Sequence, residues 1–185
     1  MIDYKHYIEI IHKVQLENFY PLNNFREDLN TMLLPRKNRG LYWIWSEESF
    51  ENLRLVVTNP GTKQVPFHTL ITQRKDLDYV CKPMIRKLRV VYNGKGGYRK
   101  RSKGFGLRER IFQELNCSDY RTGTLHLEHR NIDQSKWAIS FFNFDCPQNQ
   151  ALLPELKNNN FYDDYAGALE VGWRLHYGAP ILSRH

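Results

Sequence analysis

The sequence predicts an α/β protein of the α+β kind, a small, mainly antiparallel central sheet flanked by helices. Its 185 residues are ample for one hydrophobic core and too few for two comfortable ones, so a single domain over 1–185 is expected. Hydrophobic residues at 41% and charged residues at 25% give a globular balance rather than a disordered one. Segments with aromatic and β-branched strand character are few, and segments with helical spacing lie between and after them.

Tyr4, Tyr7, Ile8, Ile11 and Val14 recur at helical spacing, which predicts an amphipathic helix over residues 3–18, closed by Pro21. A second short helix is expected from Phe25 to Leu34, stopped by Pro35. Residues 1–38 thus read as an N-terminal helical extension to a core spanning 39–185. After the polar turn PRKNRG, the run LYWIW at 41–45 favours a strand. Glu47 to Asn52 reads as a turn or short helix, LRLVVT at 53–58 as a strand, and NPG at 59–61 as a turn. Residues 62–83 show no clear period. KLRVVYNG at 87–94 reads as a strand that opens into a glycine-rich basic loop, and Leu107, Ile111 and Leu115 mark one face of a helix. KWAISFFNF at 136–144 is expected as a strand and CPQ as the start of a short helix reaching Leu156. NNN at 158–160 reads as a loop, and Asp163 to His176 as a last helix with acids in its first turn.

The net charge of +7 favours polyanionic partners, since each cation placed on a phosphate releases a counterion. Lys95, Arg99, Lys100, Arg101, Lys103, Arg108 and Arg110 crowd into one stretch, so the positive charge is a local feature. The 3 cysteines, Cys81, Cys117 and Cys146, are odd in number and widely spaced and give no disulfide framework. No apolar run is long enough to span a bilayer, and the N-terminus carries acids and histidines where a signal peptide would be apolar. The expectation is a cytoplasmic protein with no membrane partner. Cys117, His126, His129 and Cys146 have no tight zinc-ligand spacing, and a structural zinc is the weaker reading of them.

Phosphodiester hydrolysis needs an activated water, neutralisation of charge on the transition state and protection of the leaving oxygen. Gly40-Leu41-Tyr42 leads one predicted strand, and Tyr92-Asn93-Gly94-Lys95 closes another. Leu107-Arg108-Glu109-Arg110 opens a helix, and Ala168-Leu169-Glu170 lies in the last helix with Pro180 beyond it. In this order the segments resemble the GIY-YIG nucleases, over roughly residues 39–183. The resemblance implies Tyr42 as general base, Tyr92 and Lys95 as its supports, Arg110 on the scissile phosphate and Glu170 on Mg2+ (or Mn2+). It implies no other cofactor. The partner implied is double-stranded DNA, gripped on its backbone by Lys95, Arg99, Lys100, Arg101, Lys103 and Arg108. Family restriction enzymes further suggest a homodimer matching a palindromic site.

A phenol becomes a usable base when nearby cations depress its pKa, which is the part Lys95 and Arg110 are expected to play. Taken singly, Tyr42 and Tyr92 also read as strand tyrosines with satisfied hydroxyls, and Lys95 and Arg110 as solvated surface charges. Glu170 sits among Leu169, Val171 and Trp173, where a carboxylate must be paired, metal-bound or on a polar edge. The sequence departs from the family pattern in three places. An insertion at about 46–87 separates the two motif strands. Glu114 stands one turn after Arg110, where the family commonly has His or Tyr, which leaves His126 or His129 to assist from a neighbouring loop. Ser183 falls near the family's late asparagine. From a different class, a non-catalytic basic DNA- or RNA-binding module is the competing expectation, and a structural protein with incidental basicity is a third.

Overall fold

The computed structural model describes residues 4–25, 34–35, 37–58, 63–97, 105–116, 123–157 and 163–183. Helix α1 (Tyr4–Glu17) is followed by β1 (Phe19–Pro21), β2 (Gly40–Ser46), α2 (Phe50–Arg54) and α3 (Phe67–Arg74). Then come β3 (Met84–Ile85), β4 (Leu88–Gly96), α4 (Leu107–Asn116), β5 (Trp137–Asn143), α5 (Pro147–Leu152) and α6 (Asp163–Tyr177). The strands form one five-stranded sheet in the order β1-β5-β2-β4-β3. Every neighbouring pair is antiparallel. The described residues are therefore α+β, as the sequence predicts.

Strand β2 is buried along its whole length, because it lies at the centre of the sheet with both faces covered. Its even residues Tyr42 and Ile44 join a core shared with α3 and α4, through Phe67, Ile71, Leu107, Ile111 and Leu115. Its odd residues Leu41, Trp43 and Trp45 face a second core, completed by Ile8 and Ile11 of α1 and by Leu169 and Trp173 of α6. A strand buried on both sides reads as a continuous apolar run without polar alternation, which is the pattern of LYWIW.

The two motif strands pair directly, Tyr42 opposite Gly94 and Leu41 opposite Lys95. Residues 47–87 are thus the connection of one antiparallel pair, and they contain α2 and α3. A register shift between Ile44 and Trp45 lets Tyr92 face Ile44 and Val90 face Trp45. Strand β1 pairs with β5, and α1 packs on α6 and β5, so residues 4–21 are part of this fold.

Three expectations change. LRLVVT is not a strand: Leu53 and Arg54 end α2, capped at its start by the Ser49 hydroxyl accepting from the Asn52 N–H. Leu55 and Val57 are each 73% exposed there, and among the described residues no strand pairs with them. Lys95 belongs to β4 rather than to the loop after it. The unplaced stretch 62–83 holds α3, whose buried Phe67, Leu70 and Ile71 share one face. Most of the second expected helix (26–33), the NPG turn and the NNN loop lie outside the described residues. No helix among the described residues is long and apolar enough to cross a membrane.

Candidate active site

Two glycines of the Gly94-Lys95-Gly96 segment make close approaches that a side chain would block. A Cβ at Gly94 would lie 2.3 Å from the Tyr42 hydroxyl oxygen, and one at Gly96 would lie 2.3 Å from the Cα of Leu107. The first lets Tyr42 reach across to α4, and the second seats the start of that helix against β4. The Leu107 N–H donates to the Asn38 carbonyl at 2.7 Å, and Glu109 accepts from the Gly106 N–H at 2.9 Å, satisfying first-turn groups of the helix.

On the face that carries α4, three sequence-predicted residues meet around one carboxylate. Tyr42 donates its hydroxyl to Glu114 Oε1 at 2.8 Å, and Tyr92 donates to the same oxygen at 3.2 Å. Arg110 approaches it at 3.3 Å through Nη2 and gives Nη1 to Gln113. The other oxygen, Oε2, accepts from the Leu125 backbone N–H at 2.9 Å. The Tyr42 and Tyr92 rings lie 6.2 Å apart. Glu114 and Tyr42 are both fully buried, whereas Tyr92 and Arg110 are partly exposed.

The phenols titrate opposite to expectation. Burial is the largest influence on Tyr42 and on Tyr92, and the Glu114 charge adds to it; both are pushed above the ordinary tyrosine range even though Arg110 pulls the other way. The Arg110 charge is outweighed by desolvation and by a carboxylate in contact. Arg110 is raised, chiefly by Tyr42, and stays charged. Burial also raises the Glu114 carboxyl, against Arg110 and the hydrogen bonds it accepts.

Lys95 and Glu170 lie on the opposite face of the sheet, the one α6 covers. The Lys95 ammonium rests against α6 at Gly167, where a Cβ would come within 2.5 Å of Nζ. Glu170 pairs with Arg174, Oε1 to Nη2 at 2.6 Å. Arg174 also donates to Asn93, from Nε to Oδ1 at 2.8 Å and from Nη2 to the carbonyl at 3.2 Å. Ser183 bonds the same Asn93 Oδ1 at 3.3 Å, so the segment after α6 is tied to β4 between the two motif residues. The Glu170 charge is felt by Tyr92 across β4 and adds to its upward shift. Strand β3 pairs with β4 only at Arg89 and Leu88, so alongside Tyr92 to Gly96 the other edge of β4 has no strand neighbour among the described residues. The two groups of side chains therefore flank one stretch of strand, from its two faces.

Glu170 is the metal candidate, and the fit of a hard divalent ion rests on one carboxylate. Among the described residues no group of three His, Cys, Asp or Glu side chains could hold a metal. Magnesium is commonly held by one or two carboxylates with water and phosphate oxygens completing the shell. Asn93 anchors Arg174 independently of Glu170, so exchanging the ion pair for a metal leaves Arg174 with partners. At this site the described residues offer such an ion one carboxylate, already held in an ion pair.

Arg108 carries its guanidinium 5.8 Å over the Phe112 ring on α4. Arg99, Lys100, Arg101 and Lys103 lie outside the described residues. His126 bonds Gln64, and His129 bonds Asn116 at 2.5 Å; among the described residues neither bonds Tyr42 or Tyr92. Cys146 bonds Gln148, and Cys117 lies outside the described residues. Glu114, a departure from the family pattern in sequence, is the hub of this cluster. Its one signal was an acid at the position one helical turn after Arg110, on the face of Leu107, Ile111 and Leu115 that must be buried.

The fold and site together define an α+β protein with an antiparallel five-stranded sheet and a buried two-tyrosine, arginine and glutamate cluster. No family model, curated protein or solved structure matches the chain.

Proposed function

We propose that this chain is a metal-dependent DNA endonuclease of the GIY-YIG kind, hydrolysing phosphodiester bonds in double-stranded DNA. The observation that carries the reading is the meeting of Tyr42, Tyr92 and Arg110, from β2, β4 and α4, around one carboxylate. Lys95 and Glu170 border the same stretch of β4. In this reading Arg110 neutralises charge on the scissile phosphate. The phenol face of Tyr92 orients the attacking water, and Lys95 stabilises the phosphate from the α6 side. Glu170 holds Mg2+ or Mn2+, which when bound supplies charge neutralisation on the phosphate oxygens. The basic stretch Arg99, Lys100, Arg101, Lys103 and Arg108 grips the phosphate backbone, which positions the duplex without reading sequence. Site-specific double-strand cutting by a cytoplasmic homodimer of restriction type is the finer form of the proposal.

A non-catalytic basic nucleic-acid module is the second reading, and two observations favour it: Tyr42 has no exposure, and Glu170 is held in an ion pair. Incubation with plasmid and magnesium separates the readings. The nuclease produces cut DNA, and Glu170→Ala stops cutting while DNA affinity is kept. Intact plasmid under every divalent ion, with salt-dependent binding retained, would leave the binding module. Sequencing the ends gives discrete sites for a restriction-type enzyme, and sedimentation with and without DNA reads the homodimer.

A further inference from the structure

Glu114 is the one acidic side chain among the described residues that is buried. It has four donors on two oxygens: two phenols, a guanidinium and a backbone N–H. An ionised carboxylate only accepts hydrogen bonds, so both phenol protons must point at it. Each phenol oxygen then presents lone pairs, and no proton, to the rest of the site. This is the polarity needed to receive a proton from water, and it is fixed by Glu114 rather than by either tyrosine.

Resting on the nuclease reading, we propose that Glu114 is the positioning residue that sets the direction of proton transfer, with Tyr92 as the phenol that relays the proton. Tyr92 has this part because it is partly exposed, while Tyr42 is fully enclosed and serves to hold Glu114 in place. Water at the Tyr92 oxygen gives that oxygen a proton as Tyr92 passes its own to Glu114 Oε1. The electron pair of the broken water O–H bond forms the new P–O bond. The P–O bond to the leaving oxygen breaks with its pair on that oxygen, which takes a proton from solvent. Glu114 later returns its proton to solvent through the same phenol, and the site is restored.

The relay suits the electrostatics. A phenol raised above its ordinary range holds no preformed phenolate at neutral pH, so it must lose one proton as it gains another. A carboxyl raised by burial is a better proton acceptor than one in water. The groups facing Glu114 are Arg110 from its own helix, Tyr42 from β2, Tyr92 from β4 and the Leu125 N–H from the following segment. Of these Arg110 is the charged one, and it favours the ionised carboxylate that starts the cycle.

The test is plasmid cleavage with magnesium from pH 5 to 9, by the full chain and by Glu114→Gln, Tyr92→Phe and Tyr42→Phe, with plasmid affinity measured alongside. Glu114→Gln should lose about 100-fold in rate, in line with general acid–base catalysis. It should also lose the limb on which rate rises with pH, with affinity kept. Tyr92→Phe should lose a similar factor, and Tyr42→Phe less than about tenfold. A folded Glu114→Gln with the rate and pH profile of the wild type would overturn the relay and leave the nuclease reading standing. So would Tyr42→Phe losing more than Tyr92→Phe, a comparison that decides the matter if Glu114→Gln does not fold. A wild type that cuts nothing would overturn both.

Discussion

The hydroxyl oxygen of Tyr42 lies against the backbone of Gly94, at 2.3 Å from where a Cβ would stand, with the ring carbon Cζ at 2.5 Å. The approach lets the phenol cross the paired strand and reach Glu114. Gly94→Ala forces the fully buried Tyr42 aside, and such overpacking costs about 1–3 kcal/mol. The expected result is a lower urea midpoint with an unchanged m-value. In the Tyr42→Phe background the cost should shrink and persist, because Cζ remains close. A Gly94→Ala midpoint equal to wild type would mean that the two residues do not constrain each other.

Glu114 should leave a signature in stability against pH. Its folded carboxyl is raised, mainly by burial, above the unfolded value of about 4.3. Between those two values the folded state binds more protons than the unfolded state, so stability falls as pH rises through the window. Below the unfolded value the favourable term is fully present, and it is lost as pH passes the folded one. Glu114→Gln lacks this titration. Urea denaturation of both proteins at pH 4 and pH 7 should therefore find the wild type losing ground to the glutamine variant at the higher pH. A difference between the two that stays constant with pH would contradict the raised carboxyl.

Much of this fold was legible because its signals are local. LYWIW declares a strand covered on both faces, and the spacing of Leu107, Ile111 and Leu115 declares the buried side of α4. Strands of three and two residues, β1 and β3, are too short to show any period. LRLVVT misled because β-branched content reports fitness for a sheet, and among the described residues no strand lies beside it. The site was legible as residue types and hidden as arrangement. Strand alternation does place Tyr42 and Lys95 on opposite faces once register is known, but the register carries a shift after Ile44 that no local pattern announces. The role of Glu114 depends on a tyrosine 72 positions away and on the Leu125 N–H, neither of which sequence brings near it.

Arg130 holds the segment that presents that Leu125 N–H. It donates Nε to the Leu125 carbonyl at 2.6 Å, Nη2 to Val65 at 2.8 Å and Nη1 to Val57 at 2.9 Å, with its guanidinium 4.1 Å over the Phe67 ring. A lysine has one nitrogen and cannot replace a planar fork serving three carbonyls. Arg130→Lys leaves buried carbonyls unpaired and should cost about 2–3 kcal/mol, coming within about 1 kcal/mol of Arg130→Met. Chemical denaturation measures both. A lysine variant as stable as the wild type would show that charge, not the fork, is what the site requires.

The ion pair between Glu170 and Arg174 makes a prediction about metal. Under the proposed function a divalent ion must take the Glu170 carboxylate from a guanidinium 2.6 Å away. A hydrogen bond to a charged group contributes about 1.5–3 kcal/mol, so this competition weakens metal binding by roughly tenfold or more. Arg174→Met keeps most of the apolar stem, removes the competing cation and leaves Glu170 in place. Manganese binding followed by isothermal titration should tighten about tenfold in that variant, and Glu170→Gln should abolish it in either background. The gain in affinity should come with a loss of stability, because Asn93 Oδ1 and its carbonyl lose the donor that now ties α6 to β4. If Arg174→Met binds manganese no better than wild type, Arg174 is no competitor, and Glu170 serves as the structural partner of a helix arginine instead of as a ligand.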